Sequence, residues 1–315
     1  MYDVIIIGAG PAGLTAALYC GRSKLRTKII DKSQAGGQIN ITDEIENYPG
    51  LFKVSAKDLV SAMVKQVNSL ADVEMQDFSE TDFIKYNENA VNIKGHSTID
   101  DSSFEYETKA LIIATGAYPK KLGVKGEDAF QGKGVSYCAV CDGPLFRDKE
   151  VVLIGGGDTA LEEALYLAKY AKKVKIIHRR GLFRASGLLE ERAKNNPKIE
   201  FILNSVAVEI LGKNLVEKII IKNVKTNKEN EISCNGIFIF VGYQPNTQFV
   251  ENLLDLDENK YIIADELMAT KKKGIFACGD CRRRPFKQIV TACGEGAVAA
   301  HSVEQYLFKN KYYIK

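Results

Sequence analysis

Two glycine-rich turns, each following a short run of β-branched residues, restrict the folds open to this chain. The first turn reads Gly-Ala-Gly-Pro-Ala-Gly at positions 8–13 and follows the apolar run 4–7. The second reads Gly-Gly-Gly-Asp-Thr-Ala at positions 155–160 and follows the apolar run 151–154. Residues with helical spacing come after each turn, so both segments predict a strand, a tight turn and a helix. The repeated order predicts an α/β fold with two dinucleotide-binding βαβ units.

Length and composition agree with two such units. The chain has 315 residues, enough for about two domains. Its 43 basic and 40 acidic residues give a net charge of +3, which is too balanced to indicate a nucleic acid or a membrane surface as partner. The sequence has no secretory signal and no apolar run of the roughly 18 residues that a membrane helix needs. Its seven scattered cysteines are typical of a reducing compartment, so we expect a cytoplasmic protein.

The first unit carries an acidic residue at the end of its second strand. Residues 28–30 predict that strand, and Asp31 follows it, eighteen positions after Gly13. A dinucleotide-binding unit uses an acid at about this spacing to hold the ribose hydroxyls of an adenosine. The strand, the helix and this acid together argue against a tight turn without a ligand.

The second unit carries basic residues at the corresponding place. Its second strand, predicted at 174–177, ends in His178, Arg179 and Arg180, and Arg184 follows one helical turn later. Arginine binds a phosphate dianion with two parallel hydrogen bonds, whereas a carboxylate would repel it. The cluster therefore indicates NADPH rather than NADH. The alternative interpretation is a solvated basic face.

A pair of cysteines lies between the two turns, in the segment Cys138-Ala-Val-Cys141-Asp142. Two cysteines with this spacing can close a disulfide with little backbone movement, and a thiol at the start of a helical turn is biased towards the thiolate. The alternative is half of a zinc site, which normally needs four ligands. The other pair with this spacing, Cys278 and Cys281, falls in a different predicted domain, so the redox interpretation is favoured.

Further motifs follow in a fixed order, and through them the chain resembles the low-molecular-weight bacterial thioredoxin reductases over residues 1–307. Besides the two turns and the basic cluster, the shared motifs are Gly36-Gly37-Gln38, Ile45-Glu-Asn47-Tyr48-Pro49-Gly50, Ala114-Thr115-Gly116, Ser136-Tyr-Cys138-Ala-Val-Cys141-Asp142-Gly143 and Gly279-Asp280 with Gln288. A single glycine motif would be weak evidence, but this ordered series is specific.

The resemblance implies two nucleotide-binding, Rossmann-like domains, each with three layers (ββα). The FAD-binding domain would be discontinuous, at 1–116 and 245–315. The NADPH-binding domain, at 117–244, would be inserted into it and would carry the two cysteines. Members of the family are homodimers whose inserted domain rotates to present first NADPH and then the disulfide to the flavin, and thioredoxin is their protein substrate.

The resemblance also implies roles for individual residues. Cys141 would face the flavin, Cys138 would attack the thioredoxin disulfide, and Asp142 would handle protons. The FAD-binding residues would be Gly8, Gly10, Pro11, Ala12, Gly13, Asp31, Gly37, Gln38, Asn47, Thr115, Gly116, Gly279, Asp280, Lys287 and Gln288. The NADPH-binding residues would be Gly155, Gly157, Asp158, Thr159, Ala160, His178, Arg179, Arg180 and Arg184. No metal site is expected.

The sequence departs from the family pattern at a few positions. Lys287 stands where the family usually has an arginine, and cysteines at 278, 281 and 293 stand where small or aliphatic residues are usual. We interpret Cys278 and Cys281 as small buried fillers, with a second redox pair as the alternative. We also hypothesise that the segment 144–146, Pro-Leu-Phe, forms an apolar lip for thioredoxin.

Three other functions are consistent with parts of the pattern. A flavin-dependent disulfide oxidase of the same fold would tend to lack the nicotinamide motif, which is present here at 155–184. A reductase of another redoxin would share every motif named above. A non-catalytic scaffold stabilised by FAD or zinc would need no redox pair.

Overall fold

The computed structural model describes residues 1–41, 44–45, 47–87, 90–183 and 187–312. Its strands are β1 (Tyr2–Ile7), β2 (Thr27–Ile30), β3 (Glu44–Ile45), β4 (Val54–Ser55), β5 (Val73–Gln76), β6 (Ser79–Asn87), β7 (Ala90–Ser97), β8 (Ser103–Ile113), β9 (Ala117–Pro119), β10 (Val135–Ser136), β11 (Glu150–Gly155), β12 (Lys173–Ile177), β13 (Ile199–Ile202), β14 (Ser205–Gly212), β15 (Val216–Asn223), β16 (Glu229–Ser233), β17 (Gly236–Phe240), β18 (Tyr243–Pro245) and β19 (Ile275–Ala277). Its α-helices are α1 (Pro11–Arg22), α2 (Ala56–Asn68), α3 (Ala139–Asp142), α4 (Asp158–Leu167), α5 (Gly187–Lys194) and α6 (Ile289–Tyr312). Short 3₁₀ turns occur at Gly37–Ile41, Gly143–Phe146, Gln248–Val250 and Gly279–Cys281.

The chain divides into two compact units. Unit 1 consists of Met1–Tyr118 with Gln244–Lys315, and unit 2 consists of Pro119–Tyr243. The chain passes from one unit to the other along β9 and returns along β18, and these two short strands pair with each other. Which cofactor each unit binds stays a prediction at this point.

Unit 1 is built on a seven-stranded sheet with the order β5-β2-β1-β8-β7-β6, in which β19 also pairs with β8. The pairs made by β1, β2, β5 and β19 are parallel, and those of β6 with β7 and β7 with β8 are antiparallel. Successive residues of β1 alternate between two apolar clusters, because side chains on a strand point to opposite faces. Helices α1 and α6 contribute to the cluster on one face, and strands β6 and β7 contribute to the other.

Unit 2 has three layers. A parallel sheet of order β10-β17-β11-β12-β13 forms the middle layer. Val151 and Leu153 of β11 pack with α4 on one face, and Val152 and Ile154 pack with residues of β14 and β15 on the other. The antiparallel sheet β14-β15-β16 thus supplies the third layer. The α/β class with Rossmann-like parallel sheets is confirmed.

Helical spacing after the second glycine turn continues in the sequence to about Ala171 and predicts a helix up to that residue, but α4 ends at Leu167. The amides of Lys169 and Tyr170 bond to carbonyls only three residues back, which tightens the chain into a turn. The Tyr170 carbonyl accepts from the amide of Asp148, and Ala171 is buried in the same apolar cluster as α4. Apolar spacing therefore continues past the end of the helix.

No helix in the described part of the chain is both long enough and apolar enough to cross a membrane.

Candidate functional site

The first glycine turn forms an open cradle at the start of α1. A Cβ on Gly13 would lie 1.8 Å from the Gly8 carbonyl oxygen, and one on Gly8 would lie 2.3 Å from the Ala114 carbonyl oxygen, so the strand, turn and helix approach too closely for a side chain. Among the described residues, nothing would lie within 4 Å of a Cβ on Gly10. Gly10 caps α1 and makes no side-chain hydrogen bond to the helix amides. Such a helix start suits a phosphate group.

Asp31 lies at the end of β2 and holds this turn in place. One carboxylate oxygen accepts from the amide of Ala9 at 2.6 Å, and the other accepts from the amide and hydroxyl of Ser33 at 2.9 and 3.0 Å. The acid predicted to bind a ribose is therefore in direct contact with the glycine turn.

Predicted residues from distant parts of the sequence meet around the first cradle. The Asn47 amide donates to the side-chain oxygen of Gln288 at 3.0 Å, across 241 positions of sequence. A Cβ on Gly37 would lie 3.2 Å from Cα of Gly10, and one on Gly279 would lie 2.8 Å from Cβ of Ala12. The residues placed beside the cradle are Gly8, Gly10, Pro11, Ala12, Gly13, Asp31, Gly37 and Gly279.

Thr115 and Gly116 follow β8, at the carboxyl edge of the parallel strands. The Thr115 hydroxyl donates to the Asn246 carbonyl at 2.6 Å, and the Asn246 amide donates back to the Thr115 carbonyl at 2.9 Å. A Cβ on Gly116 would have no atom within 4 Å in the part of the chain that the structure describes. Gln38 is exposed in the 3₁₀ turn that follows Gly37.

A buried group of charges, which the sequence did not predict, fixes the Gly279–Asp280 turn. The Arg284 side chain is 3% exposed and lies 3.4 Å from Asp280 and 3.5 Å from Glu295. Glu295, on α6, also accepts from the amide of Gly279 at 2.8 Å. Burial raises the pKa of Asp280, and the nearby Arg284 partly opposes that shift. The only signal in the sequence was the run of three arginines at 282–284.

Lys287 lies against an aromatic ring. Its ammonium lies 4.3 Å from the centre of the Tyr261 ring, a cation–π distance. Burial lowers the pKa of Lys287, and Asp280 partly offsets that shift.

The second glycine turn forms an equivalent cradle in unit 2. A Cβ on Gly155 would lie 2.6 Å from Cβ of Ala160, which requires glycine where β11 meets α4. A Cβ on Gly157 would meet none of the described residues within 4 Å. Gly157 caps α4 without a side-chain hydrogen bond, and Asp158 and Thr159 are exposed in the first turn of the helix.

The basic residues after β12 differ in their placement. Arg179 and Arg180 are exposed, while Arg184 lies outside the described residues. The His178 ring is 8% exposed, stacks on Phe183, and places Nε2 3.1 Å from the Leu182 carbonyl oxygen. Burial lowers the pKa of His178, which favours a neutral ring. A ring in this state supports the turn by packing, whereas the two exposed arginines carry the positive charge.

Cys138 and Cys141 form a disulfide, with Cα atoms 5.3 Å apart. Cys138 caps the short helix α3, and its sulfur accepts from the amide of Cys141 at 3.2 Å. An amide donor at this sulfur stabilises the thiolate that forms on reduction. The two cysteines predicted as a redox pair are therefore bonded to each other, and they lie in unit 2, which also contains the second glycine turn.

Ser136 connects the two ends of the redox segment. Its hydroxyl donates to the Asp142 carboxylate at 2.5 Å and accepts from the amide of Cys138 at 3.1 Å. The acid predicted to handle protons is thereby held beside the disulfide. Ser136 belongs to the recognised motif, but its role was not predicted.

The 3₁₀ turn after α3 presents one apolar side chain to solvent. Leu145 is 52% exposed. Phe146 instead packs edge-on against Phe238, with ring centres 5.2 Å apart, and so contacts the apolar core of unit 2. Of the two large residues in the hypothesised lip, Leu145 is exposed and Phe146 is only partly so.

The remaining cysteines do not form a second redox pair in the described part of the chain. Cys278 and Cys281 are free and fully buried, and they belong to two different apolar clusters. Burial raises the pKa of Cys278 well above its usual value and that of Cys281 to about 11, which keeps both thiols protonated. These observations support their interpretation as packing residues. Among the described residues, no three His, Cys, Asp or Glu side chains are grouped so that they could hold a metal ion.

Comparisons with known proteins agree with this arrangement. The family described as pyridine nucleotide-disulphide oxidoreductase matches residues 2–296. The thioredoxin reductase of Peptoclostridium acidaminophilum is 43% identical over 98% of both chains, and that of Bacillus subtilis is 42% identical over 98% of this chain and 95% of its own. The crystal structure of thioredoxin reductase from Streptococcus pyogenes is 44% identical, with a TM-score of 0.91 over 98% of this chain and 99% of its own. The chain belongs to the pyridine nucleotide-disulphide oxidoreductase family.

Proposed function

We propose that the chain is an NADPH-dependent thioredoxin reductase that uses FAD and the Cys138–Cys141 pair. The observation that carries this proposal is the disulfide beside Asp142, on the same unit as a nucleotide cradle with exposed arginines. The similarity to thioredoxin reductases over almost the whole chain supports the same conclusion.

Unit 1 would bind FAD. The open space at Gly10 and the uncapped start of α1 fit a pyrophosphate, because helix amides there have no other acceptor among the described side chains. Asp31 would lie near the adenosine ribose, and Asn47 with Gln288 would lie near the flavin. The proposed contacts are Gly8, Gly10, Pro11, Ala12, Gly13, Asp31, Gly37, Gln38, Asn47, Thr115, Gly116, Gly279, Asp280, Lys287 and Gln288.

Unit 2 would bind NADPH at its own open turn. Gly157 leaves the same space in front of α4, and Arg179 and Arg180 would pair with the 2′-phosphate. His178 would act by holding Gly156, on which its ring packs, rather than by supplying charge. The proposed contacts are Gly155, Gly157, Asp158, Thr159, Ala160, Arg179, Arg180 and Arg184, supported by His178.

The two cysteines and Asp142 would perform the exchange with thioredoxin. Bound FAD would pass two electrons from a nicotinamide hydride to a disulfide. The reduced Cys138 thiolate would attack one sulfur of the thioredoxin disulfide, form a mixed disulfide and release one thioredoxin thiolate. The Cys141 thiolate would then attack Cys138 Sγ, close the Cys138–Cys141 disulfide and release the second thioredoxin thiolate. Asp142, fixed by Ser136, is placed to supply a proton to a leaving thiolate.

The remaining predictions concern the oligomeric state, the location and the partners of the enzyme. A homodimer with thioredoxin as protein partner follows from the resemblance, whereas a cytoplasmic location without a nucleic-acid or membrane partner follows from the balanced charge, the scattered cysteines and the lack of a long apolar run. A same-fold oxidase is disfavoured because the open turn at Gly157 and the arginines after β12 form a nicotinamide cradle that such an enzyme would not need.

A coupled assay tests the proposal. The purified protein with bound flavin is given oxidised thioredoxin and either NADPH or NADH, and thioredoxin thiols are measured over time. We expect rapid reduction with NADPH and at least about tenfold lower kcat/KM with NADH, because the arginine contacts to the phosphate are then unused. Oxygen consumption without thiol formation would instead identify an oxidase, and equal use of both nucleotides would contradict the role given to the arginines.

A further inference from the structure

The peptide unit between Tyr137 and Cys138 is held by a side chain at each of its polar ends. Its carbonyl accepts from the Tyr243 hydroxyl at 2.9 Å. Its N–H donates to the Ser136 hydroxyl at 3.1 Å. Because this peptide unit directly precedes the redox sulfur, the two bonds restrict the rotation that sets the direction of the Cys138 side chain.

The Tyr137 side chain adds a third point of attachment. Its hydroxyl donates to the Glu127 carboxylate at 2.7 Å, and Glu127 is 2% exposed. The same carboxylate accepts from the amides of Leu122 and Gly123 at 3.0 and 2.8 Å. Moving the Tyr137 ring would break a hydrogen bond to a buried carboxylate, which is costly. The residue before Cys138 is therefore anchored through both its ring and its backbone.

Tyr243 brings a remote part of unit 2 to this point. It is the first residue of β18, at the return crossover of the chain, and lies 106 positions from Tyr137. Through Tyr137 and Ser136, its hydroxyl is connected to the backbone of Cys138 and then to the Asp142 carboxylate.

The held conformation is the one that stabilises a thiolate. Cys138 is extended, with φ −144° and ψ 104°, and this places its sulfur 3.2 Å from the amide of Cys141. A hydrogen bond from an amide favours the charged form of a sulfur over the neutral form. Loosening the preceding peptide unit would let the sulfur leave that donor.

We propose that Tyr243 is a positioning residue for Cys138, and that it acts by clamping the 137–138 peptide unit together with Ser136. The proposal deepens the proposed function, because it says what keeps the attacking sulfur in its reactive form. Tyr243 need not touch thioredoxin or either cofactor for this role.

Thiol trapping in the Tyr243→Phe protein tests the clamp without any turnover. The flavin-loaded protein is reduced with dithiothreitol, desalted under argon and treated with iodoacetamide at a series of pH values, and the initial alkylation of Cys138 and Cys141 is followed by peptide mass spectrometry. We expect Cys138 to react about two- to tenfold more slowly at neutral pH, the range that one lost hydrogen bond allows, with its pH midpoint moved upwards. Cys141 should keep its wild-type rate. The outcome is independent of thioredoxin and NADPH, so it can fail while the proposed function stands.

Two comparisons make the result decisive. Tyr106→Phe removes a hydroxyl that donates to Gln76 at 2.8 Å in unit 1, and it should leave both cysteines unchanged. Ser136→Ala should also slow Cys138, and its effect in the double variant with Tyr243→Phe should be less than additive, because one lost bond already frees the shared peptide unit.

Three results would overturn the clamp. They are an unchanged Cys138 rate in Tyr243→Phe, an equal slowing of Cys138 and Cys141, and full additivity of the two substitutions. If Tyr243→Phe does not fold with bound flavin, the Ser136→Ala profile alone decides, and wild-type behaviour of Cys138 there would count against the proposal.

Discussion

Leu145 and Phe146 are neighbours in the sequence but have different surroundings. Leu145 faces solvent beside the redox segment, whereas Phe146 packs against Phe238 and against the backbone of Gly236. The first side chain is therefore more accessible to a partner protein, and the second is partly buried against the folded unit. Separate substitutions should therefore have separate effects.

Leu145→Ala should raise the KM for thioredoxin about three- to tenfold, since truncating a contacted apolar side chain at an interface costs about 1 kcal/mol. Turnover with a small disulfide reagent should not change, because such a reagent needs no protein surface. Phe146→Ala should instead lower the free energy of unfolding by about 2–4 kcal/mol through loss of packing. Steady-state kinetics with both substrates and thermal melts check the pair, and an unchanged KM in Leu145→Ala would remove Leu145 from the thioredoxin surface.

Glu163 on α4 provides a test based on pH. One of its carboxylate oxygens is buried and makes no hydrogen bond to the described residues, and burial raises its pKa to about 7. The folded protein therefore disfavours the charged form, and this penalty grows as the pH rises from about 4.5 to 7. Glu163→Gln should match the wild type near pH 4.5 and be about 1–2 kcal/mol more stable at pH 8, after a discount for partial exposure.

Thermal melts of both proteins across this pH range measure the difference. A stability gain in Glu163→Gln that is the same at pH 5 and pH 8 would show that the carboxyl charge is not its source.

His178 illustrates which features of single residues the sequence could supply. The basic run after β12 was visible, and the exposed Arg179 and Arg180 agree with a charged surface there. The orientation of His178 was not visible, because it depends on the Phe183 ring and on the carbonyl of Leu182, which only the fold brings alongside. A pattern of residue types gave the charge of this segment but not the direction of each side chain.

Each of the two glycine turns joins a strand to a helix. Glycine-to-alanine substitutions at matching positions of the two turns can therefore be compared directly. Gly10→Ala and Gly157→Ala add a methyl group that no described residue outside the turn would touch, whereas Gly13→Ala and Gly155→Ala add one within 3 Å of other atoms. The first pair should fold and lose only ligand affinity, and the second pair should be strongly destabilised.

We expect Gly10→Ala to be purified with less than about a tenth of the wild-type flavin, and Gly157→Ala to keep its flavin but to show at least about a tenfold higher KM for NADPH. Flavin absorbance per chain and steady-state kinetics check both results. If Gly157→Ala lost flavin and Gly10→Ala kept it, the assignment of the two cofactors to the two units would be reversed.

The strands and helices beside the glycine turns could be predicted from local sequence patterns. The residues at which they end could not. The continuous apolar runs at 4–7 and 151–154 predicted β1 and β11 correctly because both strands are buried on two faces. The apolar spacing after α4 continued past Leu167, yet tight hydrogen bonds at Lys169 and Tyr170 end the helix. A helix end depends on which backbone partners are available, and residue spacing does not record them.

In the molecule as a whole, the site is made from contacts between remote segments. Asn47 meets Gln288, and Tyr137 meets Tyr243, across 241 and 106 positions. The family resemblance assigned Asn47 and Gln288 to the same cofactor, but it did not state that their side chains meet. Nothing in the sequence predicted the second, because a tyrosine hydroxyl and a backbone carbonyl carry no pattern that links them.

The Cys138→Ser, Cys141→Ser double variant tests whether electrons reach thioredoxin through this pair. The variant and the wild type are mixed anaerobically with NADPH, flavin bleaching is followed, oxidised thioredoxin is then added, and thioredoxin thiols are counted. We predict that both proteins bleach, because the two cradles are unchanged, and that only the wild type forms two thioredoxin thiols for each NADPH consumed. Thioredoxin reduction by the double variant at a comparable rate would contradict the proposed route of electrons.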